Sequence, residues 1–125
     1  MKTKIETSKA VLPGKSPHSQ AIEANGFVFT QGVICLTPKG EMLEGTVEER
    51  VAQIMQTLQL ILKEADCSFE NVVKTTIYIT DMSLYGQVNE IYQTHFSDPY
   101  PARVTVCVKE LPLGAEIEIS MIAAK

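Results

Sequence analysis

Two charged residues near the C-terminal end of the chain, Arg103 and Glu118, have the types best suited to chemistry on a small acid. A guanidinium offers a planar fork of N–H donors that matches a carboxylate. A carboxylate that takes up and returns a proton supplies general acid–base work. Each sits in an alternating stretch: Arg103, Thr105 and Cys107 alternate with Val104, Val106 and Val108, and Glu116, Glu118 and Ser120 alternate with Ile117, Ile119 and Met121. Period-2 alternation rich in β-branched residues predicts two half-buried strands. Pro112 and Gly114 between them suit a loop. Strands so joined read as antiparallel neighbours, with Arg103 and Glu118 on one face, opposite the valines, and within roughly 5–8 Å at Cβ. By spacing alone, such a pair is more often a solvated ion pair than a site.

Other elements must carry these strands. A short first strand is expected over 2–6 and a loop over 7–15. Asn25-Gly26 between 18–24 and 27–34 is a strong signal for a type I′ hairpin. A two-residue turn fixes the register, so Ala24 opposes Phe27, Gln20 opposes Gln31, and His18 and Ser19 fall beside Gly32. Residues 36–45 form a turn-rich connection with Pro38, Gly40 and Gly45. Thr46 with Glu49 three residues on reads as a capping box. It opens a helix whose apolar face is Val47, Val51, Ile54, Met55, Leu58, Ile61, Leu62 and Ala65. A connector over 66–71 leads to a strand over 72–80. Asp81 or Ser83 caps a second helix with Leu84, Tyr85, Val88, Ile91, Tyr92 and Phe96 on its buried face. Pro99 and Pro101 end that helix.

The order β-β-β-α-β-α-β-β predicts an α+β fold, a single mixed β-sheet of about six strands with both helices packed on one face. Residues 1–125 read as one domain. On the opposite face the pattern expects Arg103, Thr105, Glu118 and Lys74 together with apolar Ile122, a surface that other subunits would cover.

Composition excludes several classes. With 45% hydrophobic and 21% charged residues, the chain reads as soluble and globular. A formal net charge of −4 with scattered basic residues argues against general nucleic-acid binding. No stretch approaches a membrane span, and no apolar signal core follows the charged N-terminus, so a cytoplasmic protein is expected. Cys35, Cys67 and Cys107 are odd in number and widely spaced, and His18 and His95 make no metal-ligand pattern; no metal site is expected. His95 falls near the end of the second helix, where the helix dipole favours it.

Tyr100-Pro-Ala-Arg103, Leu111-Pro112 and Ile117-Glu118-Ile119 resemble the signature of the RidA (YjgF) family of reactive-intermediate imine deaminases. Ser16-Pro-His-Ser-Gln-Ala21 resembles the family's Gly-Pro-Tyr-Ser-Gln-Ala, and Phe29-Thr-Gln-Gly32 its Thr-Ser-Gly turn. Val72–Asp81 resembles its central strand, and Val88-Asn89 with Tyr92 and Phe96 its second helix. The ordered set covers nearly the whole chain. The resemblance implies a chorismate-mutase-like homotrimer with three clefts between subunits. It implies hydrolysis of 2-iminobutanoate and 2-iminopropanoate, or their enamine forms such as 2-aminoacrylate, to 2-keto acids and ammonia. These are products of pyridoxal-phosphate dehydratases, so a functional link to such enzymes follows. No cofactor is implied, because an iminium carbon is already electrophilic.

Carried over by position, the resemblance gives Arg103 for the substrate carboxylate, Glu118 for the water, Gly32 for backbone contact and Asn89 from the helix. Three positions depart from it: His18 stands where the family has Tyr, Gln31 where it has Ser, and Thr105 where it often has Cys. Gln31 adds bulk with a donor and an acceptor. Two functions therefore stay open: an imine deaminase, which needs both Arg103 and Glu118, and a non-catalytic binder of 2-keto acids, which needs only Arg103. Ribonuclease action is disfavoured by the acidic charge and the lack of an aromatic-basic groove.

Overall fold

The computed structural model describes residues 1–125. Eight elements follow in the predicted order: β1 (Thr3–Ile5), β2 (Ala21–Ala24), β3 (Phe27–Thr30), α1 (Val47–Glu64), β4 (Val72–Ile79), α2 (Tyr85–Gln93), β5 (Ala102–Cys107) and β6 (Ile117–Ala124). The strands form one six-stranded sheet in the order β1-β2-β3-β6-β4-β5. All neighbours are antiparallel except β4 and β5, which run parallel.

Local signals set the ends of these elements. Asn25 and Gly26 take positive φ values of 51° and 80°, as a type I′ turn requires, and Ala24 pairs with Phe27. Thr46 Oγ1 accepts from Glu49 N at 3.1 Å, and Glu49 Oε1 accepts from Thr46 N at 3.1 Å, closing the capping box of α1. Asp81 caps a 3-10 turn at Met82–Leu84 that leads into α2, its Oδ1 accepting from Ser83 N at 2.8 Å. Both helices pack on one sheet face. Ile54, Met55, Leu58, Ile61 and Leu62 of α1 and Val88 and Tyr92 of α2 join Ile77, Ile79, Ile117, Ile119 and Met121 in one core.

The expected pairing of the last two strands is wrong. β4 lies between β5 and β6 and pairs with both. The cause is the helix before β5. α2 carries the chain back to the start of β4, so β5 is laid down parallel on the outer side of β4. The loop after β5 then returns the chain to the inner side of β4. Alternation within a strand tells which residues share its face but not which strand lies beside it.

The faces change as well. Arg103 pairs with Thr75, and Thr75 pairs with Met121, so Arg103 and Thr105 point to the helix side of the sheet. Glu118 pairs with Tyr78 and points to the other side, together with Lys74, Ile122, Val104 and Val106. Arg103 and Glu118 therefore lie on opposite faces, not one. That second face carries exposed Phe27, Phe29, Val104 and Val106 in place of the expected arginine and threonine.

Candidate functional site

The chemistry-bearing residues fall into two clusters. The first is built by the hairpin. Its register continues past the strands, with Gln31 N donating to Gln20 O at 2.8 Å, which brings His18 beside Gln31 as expected. Val33 and Ile119 exchange backbone hydrogen bonds at 2.8 and 3.0 Å, and this bridge sets Gly32 against Glu118. A Cβ built on Gly32 would stand 2.7 Å from Glu118 Cδ, closer than carbons can approach, so the glutamate carboxyl keeps this position only while residue 32 has no side chain. Burial pushes the Glu118 carboxyl above the ordinary carboxylate range. No opposing hydrogen bond or charge from this chain pulls it back.

Beside Glu118 runs a chain of three side chains. Ser16 Oγ lies 2.9 Å from His18 Nδ1, and His18 Nε2 lies 2.9 Å from Gln31 Oε1. Gln20, fully buried, ties down the loop above: its Oε1 accepts from Thr7 N at 2.7 Å and its Nε2 donates to Thr7 O and Val11 O. A cleft of about 410 Å³ opens from Glu118, Gln31 and Gly32 between Leu12-Pro13 and Pro112-Leu113. Glu118, Gln31 and His18 also face a second, shallower groove beside Phe29 and Ile22.

The second cluster joins β5 to α2. Arg103 Nη1 donates to Asn89 Oδ1 at 2.6 Å, and Nη2 donates to Tyr85 Oη at 3.0 Å. The guanidinium also stands 5.2 Å from the Tyr92 ring centre, within cation–π reach. Asn89 and Tyr85 are four residues apart, hence on one helix face. A guanidinium has five N–H donors, so three remain for a ligand. Thr105 lines the same small notch.

The two clusters do not meet in one chain. Arg103 and Glu118 sit two strands apart and three residues out of register, about 14 Å along the sheet. They also face opposite ways. The structure thus brings His18, Gln31, Gly32 and Glu118 together, and separately Arg103, Asn89 and Thr105.

Tyr85 was expected on the buried face of α2, but it is exposed and holds Arg103. Its spacing from Asn89 was the available signal. Ser16, known from the sequence only as the start of the Ser16–Ala21 motif, reaches His18 in the fold. His95 lies in neither cluster; it packs edge-on to Phe69 and borders a separate cleft of about 550 Å³. Cys35 and Cys67 are buried, and burial raises both thiols above their ordinary range, consistent with small core residues. No group of three His, Cys, Asp or Glu side chains is placed to hold a metal ion, and no helix is long and apolar enough to cross a membrane.

A six-stranded mixed sheet with two helices on one face defines a chorismate-mutase-like α+β protein, and this chain adds to it a carboxyl against a glycine and a tethered arginine. The family described as Endoribonuclease L-PSP matches residues 8–125. A RutC family protein of Aquifex aeolicus is 50% identical over 124 residues, covering 97% of this chain and 98% of its own. A mouse 2-iminobutanoate/2-iminopropanoate deaminase is 41% identical over 122 residues, covering 97% and 90%. The crystal structure of yeast Mmf1 superposes with a TM-score of 0.95 at 34% identity, covering 100% of this chain and 99% of that one. The chain belongs to this family, the RidA/YjgF family, which includes imine deaminases.

Proposed function

We propose that the protein hydrolyses small 2-imino acids to 2-keto acids and ammonia. It does so as a homotrimer in which each cleft joins the Glu118 cluster of one copy to the Arg103 cluster of the next. The observation that carries this reading is the split itself. A carboxylate clamp and a proton carrier are both present, yet they face apart in one chain, so a substrate can touch both only across two copies. The exposed Phe27, Phe29, Val104 and Val106 on the Glu118 face supply an apolar surface for that contact.

In the assembled cleft the substrate carboxylate takes the free N–H groups of Arg103, already aimed by Asn89 and Tyr85. Water attacks the imine carbon. Starting from the iminium form, Glu118 accepts one proton from the water as the carbinolamine forms and passes it to nitrogen. It then takes the remaining hydroxyl proton as the C–N bond breaks, so that ammonia leaves, the 2-keto carbonyl forms and the proton on Glu118 is released to solvent. The raised Glu118 carboxyl suits this work, because it is a stronger base than an ordinary carboxylate. The imine carbon is electrophilic without help from a cofactor. The three free cysteines accord with a reducing, cytoplasmic setting, where pyridoxal-phosphate dehydratases would supply the imines.

His18 and Gln31, polar groups at the cleft where the family has Tyr and Ser, keep a second reading in view: a trimer that binds 2-keto acids without turnover. Coupling the protein to a threonine dehydratase separates the two. Faster release of ammonia and 2-oxobutanoate is the expected result. Binding of 2-oxobutanoate with no acceleration of release would replace the deaminase with the binder.

A further inference from the structure

The Ser16–His18–Gln31 chain has a direction. Gln31 Oε1 is the atom facing His18 Nε2, so that ring nitrogen carries the proton and donates. The other ring nitrogen, Nδ1, lies 2.9 Å from Ser16 Oγ, so the ring is held from both sides with Nε2 aimed at Gln31. Ser16 is itself fixed, its N donating to Pro13 O at 3.0 Å and its carbonyl accepting from His18 N at 2.8 Å. With Oε1 held by histidine, the amide Nε2 of Gln31 must point away from His18. Its two N–H groups have no acceptor in the chain. Gln31 lines both openings beside Glu118, so these donors flank the space next to the reacting carboxyl.

A neutral donor oriented in this way has a consequence for substrate choice. We infer that Gln31 is a specificity-determining residue, and that the cleft prefers 2-imino acids whose side chain carries a neutral hydrogen-bond acceptor, an amide or hydroxyl oxygen, over apolar side chains of the same shape. This rests on the deaminase reading above. An acidic side chain is not the match, because Glu118 lies on the same wall and repels a second carboxylate. An apolar side chain fits the Leu12 and Leu113 walls but leaves the amide donors desolvated and unpaired.

The asparagine-derived and leucine-derived 2-imino acids have nearly the same shape and differ in the acceptor. Each is generated in solution by an amino-acid oxidase, at matched supply, and hydrolysis is followed as semicarbazone-trappable imine lost. The wild-type protein is expected to favour the asparagine-derived imine by about three- to tenfold in kcat/KM, the worth of one neutral hydrogen bond. Gln31→Met keeps the length and removes the donors; Gln31→Glu keeps the acceptor for His18 and removes the donors. In both, the preference should fall to parity or reverse, mainly through KM for the amide-bearing imine. Two variants guard against one failing to fold, and thermal melting checks each. A wild-type protein with no preference, or a preference that survives both substitutions, overturns the assignment of Gln31 alone. Failure to hydrolyse either imine or 2-iminobutanoate overturns the deaminase reading and this one with it.

Discussion

The two clusters are held by different means. Around Glu118 the main chain does the positioning: a two-residue turn sets the register, a backbone bridge joins Val33 to Ile119, and a glycine lets the carboxyl lie flat against the chain. Around Arg103 side chains do it: a strand arginine is steered by Asn89, Tyr85 and the Tyr92 ring across a crossover helix. A backbone-built cluster has few soft degrees of freedom, so it suits the group that must meet a reacting atom. A side-chain-built cluster adapts by rotamer, which suits the carboxylate-gripping role proposed for Arg103 in a cleft between two copies.

The largest test falls on the backbone-built half. Glu118→Gln should lose on the order of 10²–10⁴ in rate, while calorimetry still detects 2-oxobutanoate, because Gln keeps the size but cannot take the proton. Wild-type turnover in this variant would remove Glu118 from the chemistry. Gly32→Ala should cost about 10²-fold in kcat, since the methyl displaces the Glu118 carboxyl by an ångström or so. A crystal structure of that variant with Glu118 unmoved would contradict the account of the glycine.

In the side-chain-built half, Arg103→Lys should raise KM and lower kcat/KM about 10- to 100-fold through loss of the bidentate fork, with melting unchanged. If copies share clefts, co-refolding equal amounts of the Glu118→Gln and Arg103→Lys chains should restore activity. About a quarter of the clefts would then hold both wild-type side chains. No restoration would mean that each chain works alone. Tyr85→Phe removes one of the two tethers on Arg103 and should raise KM about three- to tenfold with kcat little changed.

The smallest effect is on stability. Burial raises the Glu118 carboxyl in the isolated fold, so the folded chain holds a proton that the unfolded chain has already released. Stability therefore falls as pH rises from the ordinary carboxylate range through the raised value. In a Phe29→Glu background, chosen to keep copies apart, adding Glu118→Gln should raise the urea midpoint at neutral pH. The two proteins should converge in acid, where Glu118 is protonated in both states. In the proposed trimer a neighbouring Arg103 should shrink this difference.

Much of the backbone-built half was legible in the sequence because its causes are local. Asn25-Gly26 fixed Ala24 opposite Phe27, and counting outward placed His18 beside Gln31. The Thr46–Glu49 box and the apolar stripe of α1 were readable for the same reason. The Arg103 side was misread because its cause is non-local. Nothing in the alternation of 102–107 says that a helix has turned the strand parallel to β4, and that single topological fact reverses which way Arg103 faces. The partners of Arg103 were only half visible: Asn89 through the family resemblance, Tyr85 not at all, because a tyrosine at helical spacing reads as core.

The sheet order has one more consequence. β5 is the last strand, with β4 on one side and no strand on the other. It has no proline within Ala102–Cys107, and Val104 and Val106 stand exposed on it. An uncovered strand margin of this kind offers a row of free N–H and C=O groups to any other chain in extended conformation. A newly made copy that has yet to enter the proposed trimer is then a template for disordered β-pairing, at the point where chaperones and proteases compete for it. Cells that express an interface variant at high level should lose part of its yield to inclusion bodies, so that the abundance of the protein, more than its turnover, registers the damage.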